Sequence, residues 1–169
     1  MGYLSGIDGA DDESITNACR AYLFDAYYRS GKPPEYVPSE LAPDHRTCEN
    51  IRIMLDRTMK FFDNFGPVMK FEPKFEGGYT DMVSLGDGDF LTKDTIWDFK
   101  VSRYQPTHEQ TLQLAMYYIM RKRSLRPEYT EMKNIGIFNP CLNMVYIQRM
   151  KDVPEETIRE IERDVICYG

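Results

Sequence analysis

No run of this 169-residue chain approaches the roughly 18 apolar residues that a membrane span needs. Its first residues, MGYLSGIDGADDES, are acidic and polar where a signal peptide would be basic and then apolar. A cytoplasmic protein with no membrane partner is the expectation. Cysteine is sparse: Cys19, Cys48, Cys141 and Cys167 are scattered and form no CxxC pair. That spacing argues against a zinc ribbon and lacks the clustered ligands of an iron–sulfur centre, so four mostly buried thiols are expected. A basic excess is also missing: 21 Lys and Arg stand against 27 Asp and Glu, a net charge of -6. Proteins that grip nucleic acid through its phosphates usually carry the opposite balance, so any such role here must use local charge. The phosphate-loop pattern GxxxxGK[ST] is absent, which leaves no ATP-driven motor on this chain.

What the chain does have is a core. With 42% hydrophobic and 13% aromatic residues it suits one compact domain over 1–169, without internal repeats or low-complexity tracts. A first helix is expected from Ser14, behind Asp11, Asp12 and Glu13, with Ile15, Cys19, Tyr22 and Ala26 on one stripe. Gly31, Pro33 and Pro34 end it, and KPPEYVPSELAP reads as an extended connector. A second helix runs from about Asp44 to Asn64, with Cys48, Ile51, Leu55 and Phe62 facing the core and Gly66-Pro67 as its stop. Three strands follow near 68–75, 79–85 and 95–101, with GDGDFLTKD turning between the second and third. Thr107 to Gln110 forms a capping box for a helix to about Arg123. Strands near 134–138 and 143–149 flank NPCLN, and an amphipathic helix from Pro154 to Ile166 closes the chain. This order predicts an α/β fold, a mixed sheet flanked by helices.

The segment TIWDFKVS, from Thr95 to Ser102, carries the chemistry. Alternation sends Trp97, Phe99 and Val101 to one face and Ile96, Asp98, Lys100 and Ser102 to the other, so an acid and a base point the same way. If the strand ending its alternation at Asp81 pairs with this one, two carboxylates converge at one end of the sheet. At about 4 Å and an effective dielectric near 20 they repel by roughly 4 kcal/mol, which calls for positive charge between them. Lys100 supplies one such charge, and Mg²⁺ or Mn²⁺, which suit hard carboxylate oxygens, supplies the rest.

In order along the chain, Gly78-Tyr79-Thr80-Asp81 resembles the GxxD motif, Asp98-Phe99-Lys100 the (D/E)xK motif and Gln113-Leu114-Ala115-Met116-Tyr117 the QxxxY motif. These are the motifs of RecB-like nucleases in the PD-(D/E)xK superfamily, and the resemblance covers about residues 45 to 120. It implies a restriction-endonuclease-like core, Asp81 and Asp98 as metal ligands, Lys100 as a catalytic group, and Gln113 and Tyr117 positioning the strand and the reacting groups. It further implies that an upstream residue completes the metal shell. His45 is the best match, with Glu49 and Glu72 as competing acids. Gln113, Tyr117 and Arg121 follow one another at four-residue steps beside a buried stripe of Leu112, Ala115, Met116 and Ile119.

The remaining signals are weaker. His108 reads as an exposed or capping residue in a first helical turn. Asp87, Asp89 and Asp94 lack the spacing and terminal glutamate of an EF-hand and read as a solvated hairpin turn. The run Arg121, Lys122, Arg123 and Arg126 is either a phosphate contact or a solvated helix end. The resulting expectation is a Mg²⁺- or Mn²⁺-dependent deoxyribonuclease, by resemblance an exonuclease of recombination, repair or defence. Its expected partners are DNA and a recombination, repair or helicase protein. The competing expectation is a catalytically silent module of the same fold that binds DNA or acts as an adaptor.

Overall fold

The computed structural model describes residues 2–33, 37–124 and 126–169. Residues 34–36 of the expected connector therefore lie outside the described residues. The chain divides into two compact units, Met1–Asp56 and Arg57–Gly169.

The first unit is helical. Helix α1 spans Asp12–Ser30; Asp11 caps it, accepting the Glu13 and Ser14 N–H groups, and Gly31 ends it in the left-handed region at φ 65. Of the stripe expected on α1, Ile15 is buried but Tyr22 is 68% exposed. Helix α2 spans His45–Phe65 and begins in this unit, with Asp44 accepting the Thr47 N–H. The Arg52 side chain on α2 bonds the Ala10 carbonyl and Asp12, which fixes α2 to the start of α1. Cys48 is buried, whereas Leu55, expected to face a core, is 44% exposed.

The second unit contains the sheet. Its strands are β1 (Lys70–Phe71), β2 (Phe90–Leu91), β3 (Thr95–Phe99), β4 (Asn134–Asn139) and β5 (Met144–Arg149), hydrogen-bonded in that order. Only the β3–β4 pair is parallel, and helix α3 (His108–Met120) makes the crossover that such a pair requires. Thr107 and Gln110 form the expected capping box at its start. A one-turn extension, Arg121–Arg123, follows α3, and α4 (Glu155–Glu160) with a π-turn at Ile161–Val165 ends the fold. The architecture is α/β, a five-stranded mixed sheet flanked by helices.

Both faces of β3 are covered. Trp97 and Phe90 pack with Phe138 and with Phe61 at the end of α2. On the opposite face, Leu91, Ile96, Ile135 and Ile137 pack with Leu114, Ile119 and Met120 of α3 and with Ile161 and Ile166. Gly136 is opposite Trp97 in the register, and a Cβ there would lie 2.4 Å from the indole, so the bulky ring requires glycine beside it. Val101, expected to anchor β3, is 60% exposed because the strand ends at Phe99.

The expected strand at 79–85 does not form. Side chains take up the backbone groups a ladder would use: the Tyr79 hydroxyl accepts from Phe75 N–H and donates to the Gly86 carbonyl, and Thr80 Oγ1 accepts from Val83 N–H. The partner of β3 instead comes from within GDGDFLTKD, which was expected to be only a turn. There the chain reverses at Lys93–Asp94, with Thr92 N–H bonded to the Thr95 carbonyl. Cys19 and Cys141 are half-buried and Cys167 is exposed, so of the four thiols only Cys48 meets the expectation of burial.

Candidate active site

The β2–β3 hairpin organises the site. Its register pairs Phe90 with Trp97 and Leu91 with Ile96. Just outside this register Asp89, exposed on a bend, donates its N–H to the Trp97 carbonyl at 3.2 Å and accepts the Phe99 N–H at its Oδ2. Its charge acts on Asp98, whose pKa it raises.

Asp98 is 7% exposed in a strand covered on both sides. Lys100 Nζ lies 3.0 Å from Asp98 Oδ1, an ion pair between a buried acid and a cation that is 30% exposed. The second carboxylate oxygen, Oδ2, is buried with no hydrogen-bond partner. Such an atom costs free energy unless something compensates it. Burial accordingly raises the Asp98 pKa, the Lys100 ammonium pulls it back, and the Asp89 carboxylate pushes it further up.

Helix α3 supplies the other wall. Gln113 Nε2 donates to the Tyr117 hydroxyl at 3.0 Å, the geometry that two residues four apart on a helix allow. Tyr117 is buried rather than flanking, stacked on Phe75 at 4.9 Å. Burial raises its pKa, Gln113 lowers it, and the charges of Asp98 and Asp87 raise it again, which keeps the phenol protonated as a donor. Gly86 lets the loop approach this ring, since a Cβ there would sit 2.7 Å from Tyr117 Cε1.

The structure thus forms two pairs, Asp98 with Lys100 and Gln113 with Tyr117, and the Asp98 charge acts on Tyr117. Asp81 lies on an exposed bend over residues 81–83, outside the sheet. Glu72 is exposed with φ 48, and its N–H bonds the Asp89 carbonyl. His45 and Glu49 are exposed residues of α2 in the first unit, and His108 is exposed at the start of α3. The basic run is largely engaged by its own chain: Arg121 stacks on Tyr118 at 3.9 Å, Arg123 on Tyr168 at 3.6 Å, and Arg126 pairs with Glu76.

No family model, curated protein or solved structure matches the chain. The site is therefore argued from its own atoms. Asp89, expected in a solvated hairpin turn, lies next to β3 through its bonds to Trp97 and Phe99, and Gly86-Asp87-Gly88-Asp89 repeats the G-x-x-D spacing eight residues after Gly78-Tyr79-Thr80-Asp81.

No group of three His, Cys, Asp or Glu residues placed to hold a metal occurs among the described residues. A smaller donor set still suits Mg²⁺, which keeps several waters and is usually held through one or two carboxylates together with substrate phosphates. Among these residues Asp98 Oδ2 is a carboxylate oxygen without a partner.

Proposed function

We propose that this protein is a divalent-metal-dependent deoxyribonuclease with a restriction-endonuclease-like core, an exonuclease of the RecB-like kind acting on DNA in the cytoplasm. The observation that carries this reading is the buried Asp98, ion-paired to Lys100 through one oxygen and left open at the other. Asp89, bonded to Trp97 and Phe99 on either side of Asp98, adds a second carboxylate nearby. In this reading Asp89 takes the place expected for Asp81, and Asp89 and Asp98 hold Mg²⁺ or Mn²⁺.

When bound, such an ion would make a water more acidic and neutralise charge growing on the phosphoryl oxygens. The chain's own groups do the rest. Asp98 must be ionised to act, and its ion pair with Lys100 favours that form. Lys100 presents an ammonium that donates to a phosphoryl oxygen as negative charge develops. Tyr117, held by Gln113, offers its hydroxyl proton to the nucleic-acid strand along the same wall. Addition of water to phosphorus with departure of a sugar oxygen leaves one phosphomonoester and one hydroxyl end.

The test is cleavage of end-labelled single- and double-stranded linear DNA beside a closed circle, with Mn²⁺, Mg²⁺ or EDTA and Lys100→Ala as control. Metal-dependent loss of linear DNA by the wild type alone supports an exonuclease, and cutting of the circle makes it an endonuclease. Absence of cleavage under every condition moves the assignment to the silent DNA-binding or adaptor module.

A further inference from the structure

The end of the sheet away from Asp98 carries a separate group of charges. Asp94 precedes β3 and Lys133 precedes β4, two parallel strands, and Arg149 ends the antiparallel β5, so all three lie at the same end. Asp94 stands four residues before Asp98, about 13 Å along an extended strand. The last register pair sets Asn134 opposite Arg149, and the Met150 N–H reaches the Lys133 carbonyl at 3.0 Å, which brings Lys133 and Lys151 to the same place. These four residues, with Asp94 of the β2–β3 turn and Tyr118 of α3, line a hollow of about 310 Å³, at the small end of ligand pockets.

Charge sets this hollow apart. Lys133 and Lys151 pair with no carboxylate among the described residues. Arg149 lies 3.0 Å from Asp152, but the two side chains are 65% and 47% exposed, and such a pair is weak enough for a better anion to displace. Asp94, the acid that lines the hollow, accepts the Thr95 hydroxyl at 2.8 Å. Over the Tyr118 ring, at 3.9 Å, the Arg121 guanidinium adds a fourth positive charge. Four cations against Asp94 and Asp152 leave an excess of two positive charges at one place on a chain whose net charge is -6. One sign of charge gathered in a concavity concentrates the opposite ion there.

We infer that this hollow binds a dianionic phosphate group, as carried by orthophosphate or a phosphomonoester, at a site distinct from the Asp98–Lys100 pair. Lys133 and Lys151 supply compact charged donors, and the Arg149 fork matches two phosphate oxygens. The Tyr118 hydroxyl is a further donor on the wall formed by α3. A phosphomonoester near neutral pH carries close to two negative charges, which the excess matches. A nucleic-acid backbone carries one charge per phosphate and is tracked by an extended basic groove, whereas these cations meet at a single small hollow. The inference does not depend on the nuclease reading.

The test is the amide NMR spectrum of the full chain, in metal-free buffer at constant ionic strength, titrated separately with orthophosphate, thymidine monophosphate and an oligothymidylate lacking terminal phosphates. Orthophosphate and the mononucleotide are expected to give saturable shifts at Asn134, Arg149 and Lys151, and the oligonucleotide none there. Lys133→Gln and Lys151→Gln are each expected to weaken orthophosphate binding about tenfold, the scale of one hydrogen bond to a charged group. Lys60→Gln, outside the hollow, is expected to leave it within about twofold, since an exposed charge at a distance is screened. Both lysines of the hollow are exposed, so these variants should keep the wild-type spectrum elsewhere. Shifts that do not saturate, an equal loss of affinity in Lys60→Gln, or an oligonucleotide that binds these amides as tightly as the monoester overturns the inference.

Discussion

At the residue scale, the proposal turns on one carboxylate: Asp98 Oδ1 holds Lys100, and Oδ2 is buried without a partner. The raised pKa gives this a thermodynamic sign. The folded protein holds the Asp98 proton more tightly than the unfolded chain does. Its contribution to stability is thus complete below the ordinary value of 3.8 and is lost as pH rises through the raised folded value. In EDTA, wild-type Tm is therefore expected to fall relative to Asp98→Asn as pH rises through that window. Added Mg²⁺ should raise the Tm of the wild type and leave Asp98→Asn unmoved, by mass action on the folded state. A Tm difference that does not change with pH would contradict the assignment of the burial cost to this carboxyl. A second pair of variants separates the two candidate acids. Asp89→Ala is expected to lower cleavage by about 100-fold or more, in the range of removing a group that stabilises transition-state charge, while Asp81→Ala stays within about threefold. The opposite ranking would return the role to the exposed bend.

At the scale of elements, the hairpin and α3 act together. Gly86→Ala forces a Cβ to within 2.7 Å of Tyr117 Cε1, in a ring that also packs on Phe75. The expected cost is about 1–3 kcal/mol in chemical denaturation, accompanied by a fall in kcat as the ring shifts. Wild-type stability in this variant would show that the loop does not rest on α3. Elements with strong periodicity or caps were legible in the sequence: α1, α2 and α3, the capping box at Thr107, and β4 and β5 differ from their expected limits by a few residues at most. The failure was local. Tyr79 and Thr80 have strand-forming side chains, but their hydroxyls bond the backbone at Phe75, Gly86 and Val83, and no propensity anticipates such contacts. Glycine and aspartate in GDGD suggested a turn, yet the β2 arm begins directly after them because Phe90 and Leu91 bury against Trp97 and Ile96. Asp81, expected on that strand, lies instead on a bend outside the sheet. The acid and base of TIWDFKVS, in contrast, share a face as alternation requires.

At the scale of the molecule, a net charge of -6 limits how DNA is held. Arg121, Arg123 and Arg126 already lie against aromatic rings or Glu76, so the basic run is not a free phosphate-binding cluster. DNA affinity measured with Ca²⁺ in place of Mg²⁺ is expected to depend on log salt with a slope of about -3 or shallower, and to weaken in EDTA. A slope near -10 would reveal a basic surface that these contacts do not provide. No helix among the described residues is long and apolar enough to cross a membrane. The measurement that bears most directly on the central claim is the rate of DNA cleavage by wild type and Asp98→Asn across a Mg²⁺ titration, on preparations matched for folding. The account predicts a rate that rises with Mg²⁺, vanishes in EDTA and falls by about 100-fold or more in Asp98→Asn at every concentration. Equal rates in the two proteins would contradict it.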